Sequence, residues 1–196
     1  QFAKICEESN IKFIGPKSEI IDLLGNKSNS KKLMRKEGIP VIEGSEGSIN
    51  NLKEAILVCE KIGYPILLKA SAGGGGKGIR LVNSFNELEE NYNLVKQEAK
   101  NSFGNDEIYI EKYIKEPRHV EIQIMADEHG NVVHLGERDC TIQRKHQKIL
   151  EETPSTIVDE KLRCKMGNIA VKVAKIAGYT SVGTVEFLVD SDKNFF

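Results

Sequence analysis

The stretch 66-ILLKASAGGGGKGIRLV-82 joins two short apolar runs through four consecutive glycines, and Lys69 stands inside the first run. The glycine spacing formally matches the dinucleotide fingerprint G-x-G-x-x-G, but that fingerprint opens a helix, whereas a second strand-like run follows here. A Walker loop requires Ser or Thr after Gly-Lys, and Gly78 follows Lys77. The pattern therefore predicts a hairpin whose bare backbone lies over an anion such as phosphate.

A flexible hairpin without a ligand is the alternative interpretation of this stretch. Ordering four glycines costs much conformational entropy, which favours a loop that covers phosphate over a purely structural turn. Lys69 leaves two interpretations open. The phosphates of a ligand would pair with its ammonium group, or its stem packs while the ammonium group reaches water.

The rest of the chain predicts a mixture of helices and strands. Apolar spacing and end signals predict helices over 2–9, 16–25, 26–38, 50–62, 84–100 and 162–178. Period-two runs predict strands over 11–15, 65–70, 78–82, 107–114, 119–127, 132–140 and 184–190. Ser84 and Glu87 have the spacing of a capping box. The hairpins exclude a purely parallel sheet, so we expect an α+β fold.

Composition excludes several classes of protein. The chain has 196 residues, and its 39% hydrophobic content is enough for a real core. A net charge of −1 argues against a nucleic-acid partner, and no apolar run reaches the roughly 20 residues of a membrane span. Four separated cysteines argue against a metal cluster or a disulfide framework and suit a reducing, cytoplasmic compartment.

Several charged residues fall within strands or beside them. A solvated sheet face is the simpler explanation of Glu111, Glu121 and Glu186, although Glu186 is flanked by bulky apolar residues and could hold Mg²⁺. The segment 137-ERDCTIQRKHQK-148 is either an exposed charged loop or an anion site. Lys27 stands near a helix start, where the dipole disfavours a cation unless an anion is bound.

Five stretches in order carry a resemblance to a known family: FIGPKSEIIDLLGNK, YPILLKASAGGGGKGIR, YIEKYIKEPRHVEIQIMAD, GERDCTIQRKHQK and GTVEFL. Together they resemble biotin carboxylase, an enzyme of the ATP-grasp superfamily, over nearly the whole chain. The resemblance implies an ATP-grasp fold in four parts. These are the tail of a Rossmann-like domain (1–14), connecting helices (15–41), an ATP-grasp lid (42–113) and the first part of the catalytic domain (114–196).

The resemblance also implies which residues bind the substrates. The implied ATP-binding residues are Lys27, Lys69, Gly75, Gly76, Glu111, Lys112, Tyr113, Ile114, His119, His146 and Glu186. Glu186 matches the first carboxylate ligand of Mg²⁺ or Mn²⁺, Lys148 matches the bicarbonate-binding lysine, and Gln143 lies in the same loop. The family's E-x-N-x-R segment does not occur in these 196 residues, so we expect a piece of a longer protein that turns over poorly alone.

The implied reaction begins with ATP and bicarbonate, which form carboxyphosphate, and ends with CO₂ on biotin held by a biotin carboxyl carrier protein. The implied partners are that carrier and a carboxyltransferase component, and the implied parent forms a homodimer. Acetyl-CoA carboxylase of fatty acid synthesis is the favoured parent; pyruvate and propionyl-CoA carboxylases share the module. A non-catalytic ATP-binding module and a carbamoyl-phosphate-type ligase remain alternatives.

Overall fold

In a computed structural model, the chain combines helices with antiparallel strands. The structure describes residues 1–25, 27–72, 78–144 and 147–196, without the side chains of 27–29. The elements are α1 (Phe2–Glu8), α2 (Ser18–Gly25), α3 (Lys27–Lys36), α4 (Leu52–Ile62), β1 (Ile66–Ala70), β2 (Ile79–Val82), α5 (Phe85–Phe103), β3 (Ile108–Lys112), β4 (Arg118–Ala126), β5 (Val132–Asp139), β6 (Gln143–Arg144), β7 (Gln147–Lys148), α6 (Glu160–Ala177) and β8 (Ser181–Val189). The prediction of a mixed α+β fold is confirmed.

The chain folds into two compact units. The first, here called the inserted unit, comprises residues 26–115 and 145–147. The second, here called the flanking unit, comprises residues 1–25, 116–144 and 148–196. Each unit has its own cluster of buried apolar side chains. The family-based boundaries after residues 14, 41 and 113 stay predictions.

The inserted unit is a three-stranded antiparallel sheet in the order β2-β1-β3, with α4 and α5 packed on one face. Side chains alternate between faces along each strand, so every second residue enters the core. The buried set comprises Ile66 and Leu68 of β1, Val82 of β2, Ile108 and Ile110 of β3, and Leu88 and Val95 of α5. The other face of the same strands presents Lys69 and Glu111, which puts both charges on one surface of the sheet.

The free edge of β3 is covered by residues 43–49. Ser45 and Ile49 donate their backbone N–H groups to the carbonyls of Ile110 and Ile108, at 2.9 and 2.7 Å. Gly44 approaches so closely that a Cβ there would lie 2.0 Å from the Ile110 carbonyl oxygen. Only glycine fits where the backbone of residue 44 comes this close to β3. This close approach lets residues 43–49 satisfy the backbone hydrogen-bonding groups of β3 next to Glu111.

The flanking unit is a second three-stranded antiparallel sheet, in the order β5-β4-β8, with α6 against one face. Its core comprises Val120, Ile122 and Ile124 of β4, Leu162, Met166, Ala170 and Ala174 of α6, and Phe187 and Val189 of β8. The predicted β4–β5 hairpin is confirmed, with an irregularity in register between Ile122 and Ile124. The opposite face of β4 presents Glu121 and Gln123, beside Glu186 of β8.

Three local predictions were wrong. Residues 11–15 form no strand, and Ile14 is 90% exposed, because no described strand edge pairs with this apolar run. The capping box does not form: Ser84 makes no side-chain cap, and the Glu87 carboxylate accepts the N–H of Asn83 at 2.9 Å instead.

The third concerns the buried stripe of α6. The apolar spacing of this helix predicts one buried stripe of Leu162, Met166, Ile169, Val173 and Ile176. Ile169, Val173 and Ile176 are only half-buried. The neighbouring small residues enter the core in their place, at Ala170, Ala174 and Ala177. Small side chains let the helix lie close to the sheet, and apolar spacing alone does not reveal which face achieves that approach.

Candidate functional site

Two groups of charged side chains stand out, one in each unit. In both groups a buried glutamate joins a lysine to a second cation. The two groups are Lys31, Glu111 and Lys69 in the inserted unit, and Arg138, Glu121 and Lys148 in the flanking unit. A buried carboxylate needs such partners, because an unpaired buried charge is strongly unfavourable.

In the inserted unit, Glu111 lies at the centre of the group. Its side chain is only 3% exposed, and its Oε2 accepts a hydrogen bond from the Lys69 ammonium at 2.6 Å. Its Oε1 forms an ion pair with Lys31 of α3, which also stands 5.6 Å from the centre of the Tyr109 ring. Burial raises the pKa of Tyr109 to about 12, so its phenol stays neutral.

These contacts decide two of the open interpretations. A solvated sheet face was the simpler explanation of Glu111, and it is wrong, because two lysines allow the carboxylate to be buried. Lys69 does not extend only into water; it binds a carboxylate of the protein, with 22% of its side chain still exposed. Its ammonium group is thus held in place and still accessible.

Residues 111–114, which the resemblance implies in ATP binding, differ in what their side chains do. The Lys112 ammonium donates hydrogen bonds to the carbonyls of Gly63 and Tyr64, at 3.2 and 3.1 Å, so this side chain anchors the end of α4. Tyr113 and Ile114 follow β3 and are half-buried. The role of residues 111–114 in ATP binding stays a prediction.

Four predicted ATP-binding residues lie wholly or partly outside the described residues. Gly75, Gly76 and His146 fall in segments that the structure does not describe, and of Lys27 only the backbone, at the start of α3, is described. The base of the glycine segment is described at Gly78, whose φ of +69° suits glycine. Its carbonyl accepts the N–H of Ala70 at 2.8 Å, and its own N–H donates to Glu98 at 3.2 Å.

In the flanking unit, Lys148 stands between two carboxylates. Its ammonium donates to Glu186 Oε1 at 2.7 Å and also to Glu121 Oε2. The Glu121 side chain is 3% exposed, whereas that of Glu186 is 52% exposed. The structure therefore brings together the predicted bicarbonate lysine and the predicted metal carboxylate, and it overturns the solvated-face explanation of Glu121.

Arg138 completes this group and was not singled out from the sequence. Its guanidinium donates to Glu121 through Nε at 2.7 Å and to Gln123 through Nη1 at 3.0 Å. Burial favours a raised pKa for Glu121, but the hydrogen bonds from Lys148 and Arg138 outweigh it and lower that pKa. Glu121 is consequently ionised at neutral pH and holds both cations.

Two further predicted residues lie beside Glu186. The His119 imidazole Nε2 is 3.7 Å from Glu186 Oε2, and its Nδ1 contacts the side-chain amide of Gln143. That amide also donates to the Cys140 carbonyl at 2.9 Å. The neighbouring imidazole of His119, opposed by burial and assisted by Lys148, lowers the pKa of Glu186 to about 2. The carboxylate is therefore ionised and ready to bind a cation.

The carboxylate oxygens of Glu186 fit a magnesium site with few protein ligands. Mg²⁺ is usually bound by one or two carboxylates together with substrate phosphates. Glu186 has the right donor atoms, is accessible, and already holds the positive charge of Lys148 on one oxygen. These features support Glu186 as a metal ligand in the presence of a nucleotide.

A different combination of donors is less suitable for a metal. Glu121, Cys140 and Glu151 place ligand atoms within 4.8 Å of one another. Arg138 already lies among them, however, with its Nε 3.4 Å from Glu151 and bonded to Glu121. Burial raises the pKa of the Cys140 thiol to about 11, which keeps it protonated. A guanidinium rather than a metal ion thus satisfies these carboxylates.

A cavity of about 570 Å³ lies elsewhere in the flanking unit. Its walls come mainly from residues 11–17 and 126–129, with Thr180 and Ser181. None of the charged residues of the two groups lines it. We therefore locate the candidate site at the charged groups and not at this cavity.

Comparison with known proteins agrees with this geometry. Residues 26–196 match the family model described as carbamoyl-phosphate synthase L chain, ATP binding domain. Biotin carboxylase 1 of Bacillus subtilis is 51% identical over 189 residues, which are 96% of this chain and 42% of that protein. Relatives of similar identity carry the names of methylcrotonoyl-CoA, propionyl-CoA and pyruvate carboxylase subunits.

Solved structures give the same result for the fold. A crystal structure of a Campylobacter jejuni biotin carboxylase–β-γ-ATP complex is 47% identical, with a TM-score of 0.95 over 100% of this chain and 44% of that one. The biotin carboxylase domain dimer of Hydrogenobacter thermophilus 2-oxoglutarate carboxylase, with MgADP, ADP and bicarbonate, is 47% identical with a TM-score of 0.94 over 100% and 43%. The chain thus spans less than half the length of these relatives.

Proposed function

Because this chain belongs to the family of carbamoyl-phosphate synthase L chain ATP-binding domains and has the ATP-grasp fold of biotin carboxylases, we propose that it serves in the ATP-dependent carboxylation of biotin. Bicarbonate would receive the γ-phosphoryl group of ATP to give carboxyphosphate, and the CO₂ released would carboxylate biotin on a carrier protein. The observation that carries this proposal is the Lys148 ammonium, held between Glu121 and Glu186.

The inserted unit supplies the phosphate-binding part of the proposal. Lys69 presents an accessible ammonium group on the sheet face, at the end of the strand that leads into the glycine segment. Together with Lys27 and the backbone of Gly75 and Gly76, it would neutralise the phosphates of ATP. Phosphoryl transfer depends chiefly on such positioning and electrostatic stabilisation.

The flanking unit supplies the acceptor side. Lys148 would bind the bicarbonate anion, with Glu121 keeping the ammonium in position and Arg138 keeping Glu121 in position. Glu186 would hold Mg²⁺ or Mn²⁺, and that ion, when bound, offsets the negative charge of the phosphoryl group. His119, restrained by Gln143, would contact the nucleotide.

Acetyl-CoA carboxylase of fatty acid synthesis is the parent that we propose, in the cytoplasm, with a biotin carboxyl carrier protein and a carboxyltransferase component as partners and with a homodimeric carboxylase. The pyruvate and propionyl-CoA carboxylase relatives make those enzymes the alternative parents. Several relatives named biotin carboxylase, at 47–51% identity, favour biotin over the acceptor of a carbamoyl-phosphate-type ligase.

The test is ATP hydrolysis by the full-length protein that carries these residues. We expect biotin and bicarbonate together to stimulate hydrolysis, and Lys148→Gln to remove the dependence on bicarbonate. Lys165→Gln, an exposed lysine of α6, is the matched charge control and should leave the rate unchanged. A rate of ATP hydrolysis that is the same with and without biotin and bicarbonate would contradict the proposal and indicate a nucleotide-binding module.

A further inference from the structure

Asp139 is a buried carboxylate at the end of β5 to which the proposed function gives no role. The residue is only 3% exposed. Its Oδ1 accepts the backbone N–H of Thr141 at 3.1 Å and also the Thr141 hydroxyl, while its Oδ2 accepts the hydroxyl of Ser155 at 2.8 Å. Burial favours a raised pKa for Asp139, but these hydrogen bonds outweigh it and lower that pKa. The carboxylate is therefore ionised at neutral pH and accepts strong, charge-assisted bonds.

Thr141 belongs to the connection between β5 and β6, here called the β5–β6 connection (140–142). This connection binds both backbone groups of His119. The N–H of His119 donates to the Thr141 hydroxyl oxygen at 3.0 Å, and the N–H of Cys140 donates to the His119 carbonyl at 2.7 Å. The start of β4, and with it the imidazole of His119, is therefore held by a segment that Asp139 fixes.

The same connection also holds the segment that follows Lys148. The carbonyl of Ile142 accepts the N–H of Ile149, the next residue after Lys148, at 3.1 Å. Further along that segment, Glu152 and Asp139 exchange two backbone hydrogen bonds of 2.8 and 3.1 Å. The backbone beside the proposed bicarbonate lysine thus depends on the β5–β6 connection as well.

His119 and Lys148, whose backbone positions depend on this connection, both approach the same carboxylate. The Lys148 ammonium donates to Glu186 Oε1 at 2.7 Å, and the His119 imidazole Nε2 lies 3.7 Å from Glu186 Oε2. A misplacement of about 1 Å that originates far from the reacting atoms can lower the rate of an enzyme by about 100-fold. The site is therefore sensitive to any loosening of the connection that holds both residues.

We propose that Asp139 and Thr141 are positioning residues for this site. They act through the β5–β6 connection, which sets the backbone positions of His119 and Lys148. The Asp139 carboxylate fixes the connection, and the Thr141 hydroxyl transmits that restraint to the N–H of His119. Neither side chain needs to contact ATP or bicarbonate. The inference rests on the proposed function, because it takes ATP and bicarbonate as the ligands.

A purely structural role for the same two residues makes a different prediction. If the bonds of Asp139 and Thr141 only stabilised the fold, their removal would lower the melting temperature and leave the KM values of the folded enzyme unchanged. Thr156→Val is the matched control for a lost hydroxyl, and Asp192→Asn is the matched control for a lost carboxylate charge. Both control residues are exposed and belong to the flanking unit.

The experiment is steady-state ATP hydrolysis by the full-length protein in the presence of biotin, with ATP and bicarbonate varied in turn. Thr141→Val keeps the branched shape and removes the hydroxyl, so the N–H of His119 loses its acceptor. We expect this variant to raise the KM for ATP about fivefold, the effect of one lost hydrogen bond, and the KM for bicarbonate less than about twofold. Thr141→Ser keeps a hydroxyl and should bring both values within about twofold of the wild type.

Asp139→Asn keeps the shape of the side chain and removes its charge, which weakens the bonds from both Thr141 and Ser155. We expect this variant to raise the KM for ATP and the KM for bicarbonate by about threefold or more. Thr156→Val and Asp192→Asn should leave both values within about twofold of the wild type. Thermal unfolding of each variant shows that the assayed protein is folded.

Two kinds of failure are distinguishable in this experiment. KM values in Thr141→Val and Asp139→Asn that match those of the two controls, or no recovery in Thr141→Ser, would overturn the inference while bicarbonate-dependent hydrolysis by the wild type stands. A wild type whose hydrolysis does not respond to bicarbonate would overturn the proposed function and this inference with it.

Discussion

The two units use the same arrangement of charges with different results. In the inserted unit, Glu111 is shared by two lysines, Lys31 and Lys69. In the flanking unit, Glu121 is shared by Lys148 and Arg138, but Glu186 adds a second carboxylate that binds Lys148 as well. The first group therefore places two ammonium groups around one buried carboxylate, whereas the second places the Lys148 ammonium between two carboxylates.

That difference matches two chemical tasks. Ammonium groups on a partly exposed sheet face suit the phosphates of a nucleotide. A lysine between two carboxylates, one of them exposed, suits a divalent cation together with a small anion, since the cation can bind Glu186 and weaken its hold on Lys148. A buried glutamate holds each lysine in place, so neither lysine depends on a ligand for its position.

Removal of Glu121, the buried carboxylate of the flanking unit, is expected to have the largest effect. Glu121→Ala leaves Arg138 and Lys148 facing a cavity without their buried counter-charge, and we expect the free energy of unfolding to fall by roughly 3 kcal/mol. Urea denaturation followed by circular dichroism measures the change. Glu151→Ala, which removes an exposed carboxylate beside the same arginine, should cost less than about 1 kcal/mol. Equal losses would show that Glu121 is not the centre of the group.

The second prediction concerns the anion-binding side. Lys69→Ala should weaken MgATP binding by about 30-fold or more, because it removes the ammonium that the sheet face presents. Lys77→Ala should have a smaller effect, since the resemblance implies Lys69, and not Lys77, in ATP binding. Titration calorimetry on both variants compares them directly, and equal weakening would contradict a special role for Lys69.

The smallest expected effect is on the pH dependence of stability at acidic pH, through Glu186 of the flanking unit. Glu186 has a pKa of about 2 in the folded protein against an ordinary value of 4.5, so the unfolded chain binds the proton more readily. Its contribution to stability is present above the ordinary value and is lost as the pH falls toward the folded value.

Glu186→Gln should therefore flatten the decline of stability between about pH 5 and about pH 3, measured by denaturation at a series of pH values. Glu19→Gln, an exposed residue of α2, is the control and should leave that slope unchanged. An unaltered slope in Glu186→Gln would show that Lys148 and His119 do not stabilise its ionised form.

Much of this arrangement follows from local sequence and part of it does not. The β1–β2 and β4–β5 hairpins and the helix ends follow from period-two runs and glycines, and the resemblance placed Lys148 and Glu186. The burial of Glu111 was missed because it depends on Lys31, which is far away in the chain. The burial of Glu121 was missed because the hairpin was predicted without its register, which sets Arg138 opposite Glu121. The period-two pattern of a strand shows which residues share a face of the sheet, but it does not show which charged residues lie opposite one another on neighbouring strands.

The same limit explains the segment 11–15. Its apolar run has the composition of a strand, but strand formation also requires an edge with free hydrogen-bonding groups. Among the described residues, no strand edge pairs with this run. Strand pairing depends on the whole fold, so the composition of residues 11–15 alone does not reveal whether a strand edge pairs with them.

We infer that buried glutamates hold Lys69 and Lys148 in position for their ligands. The most direct test of this inference is amine labelling of the folded chain with a lysine-specific reagent, read by mass spectrometry with and without MgATP and bicarbonate. We expect MgATP to slow the labelling of Lys69, bicarbonate with MgATP to slow that of Lys148, and neither to affect exposed Lys61 of α4. Unchanged labelling of Lys69 and Lys148 in the presence of the ligands would contradict the account.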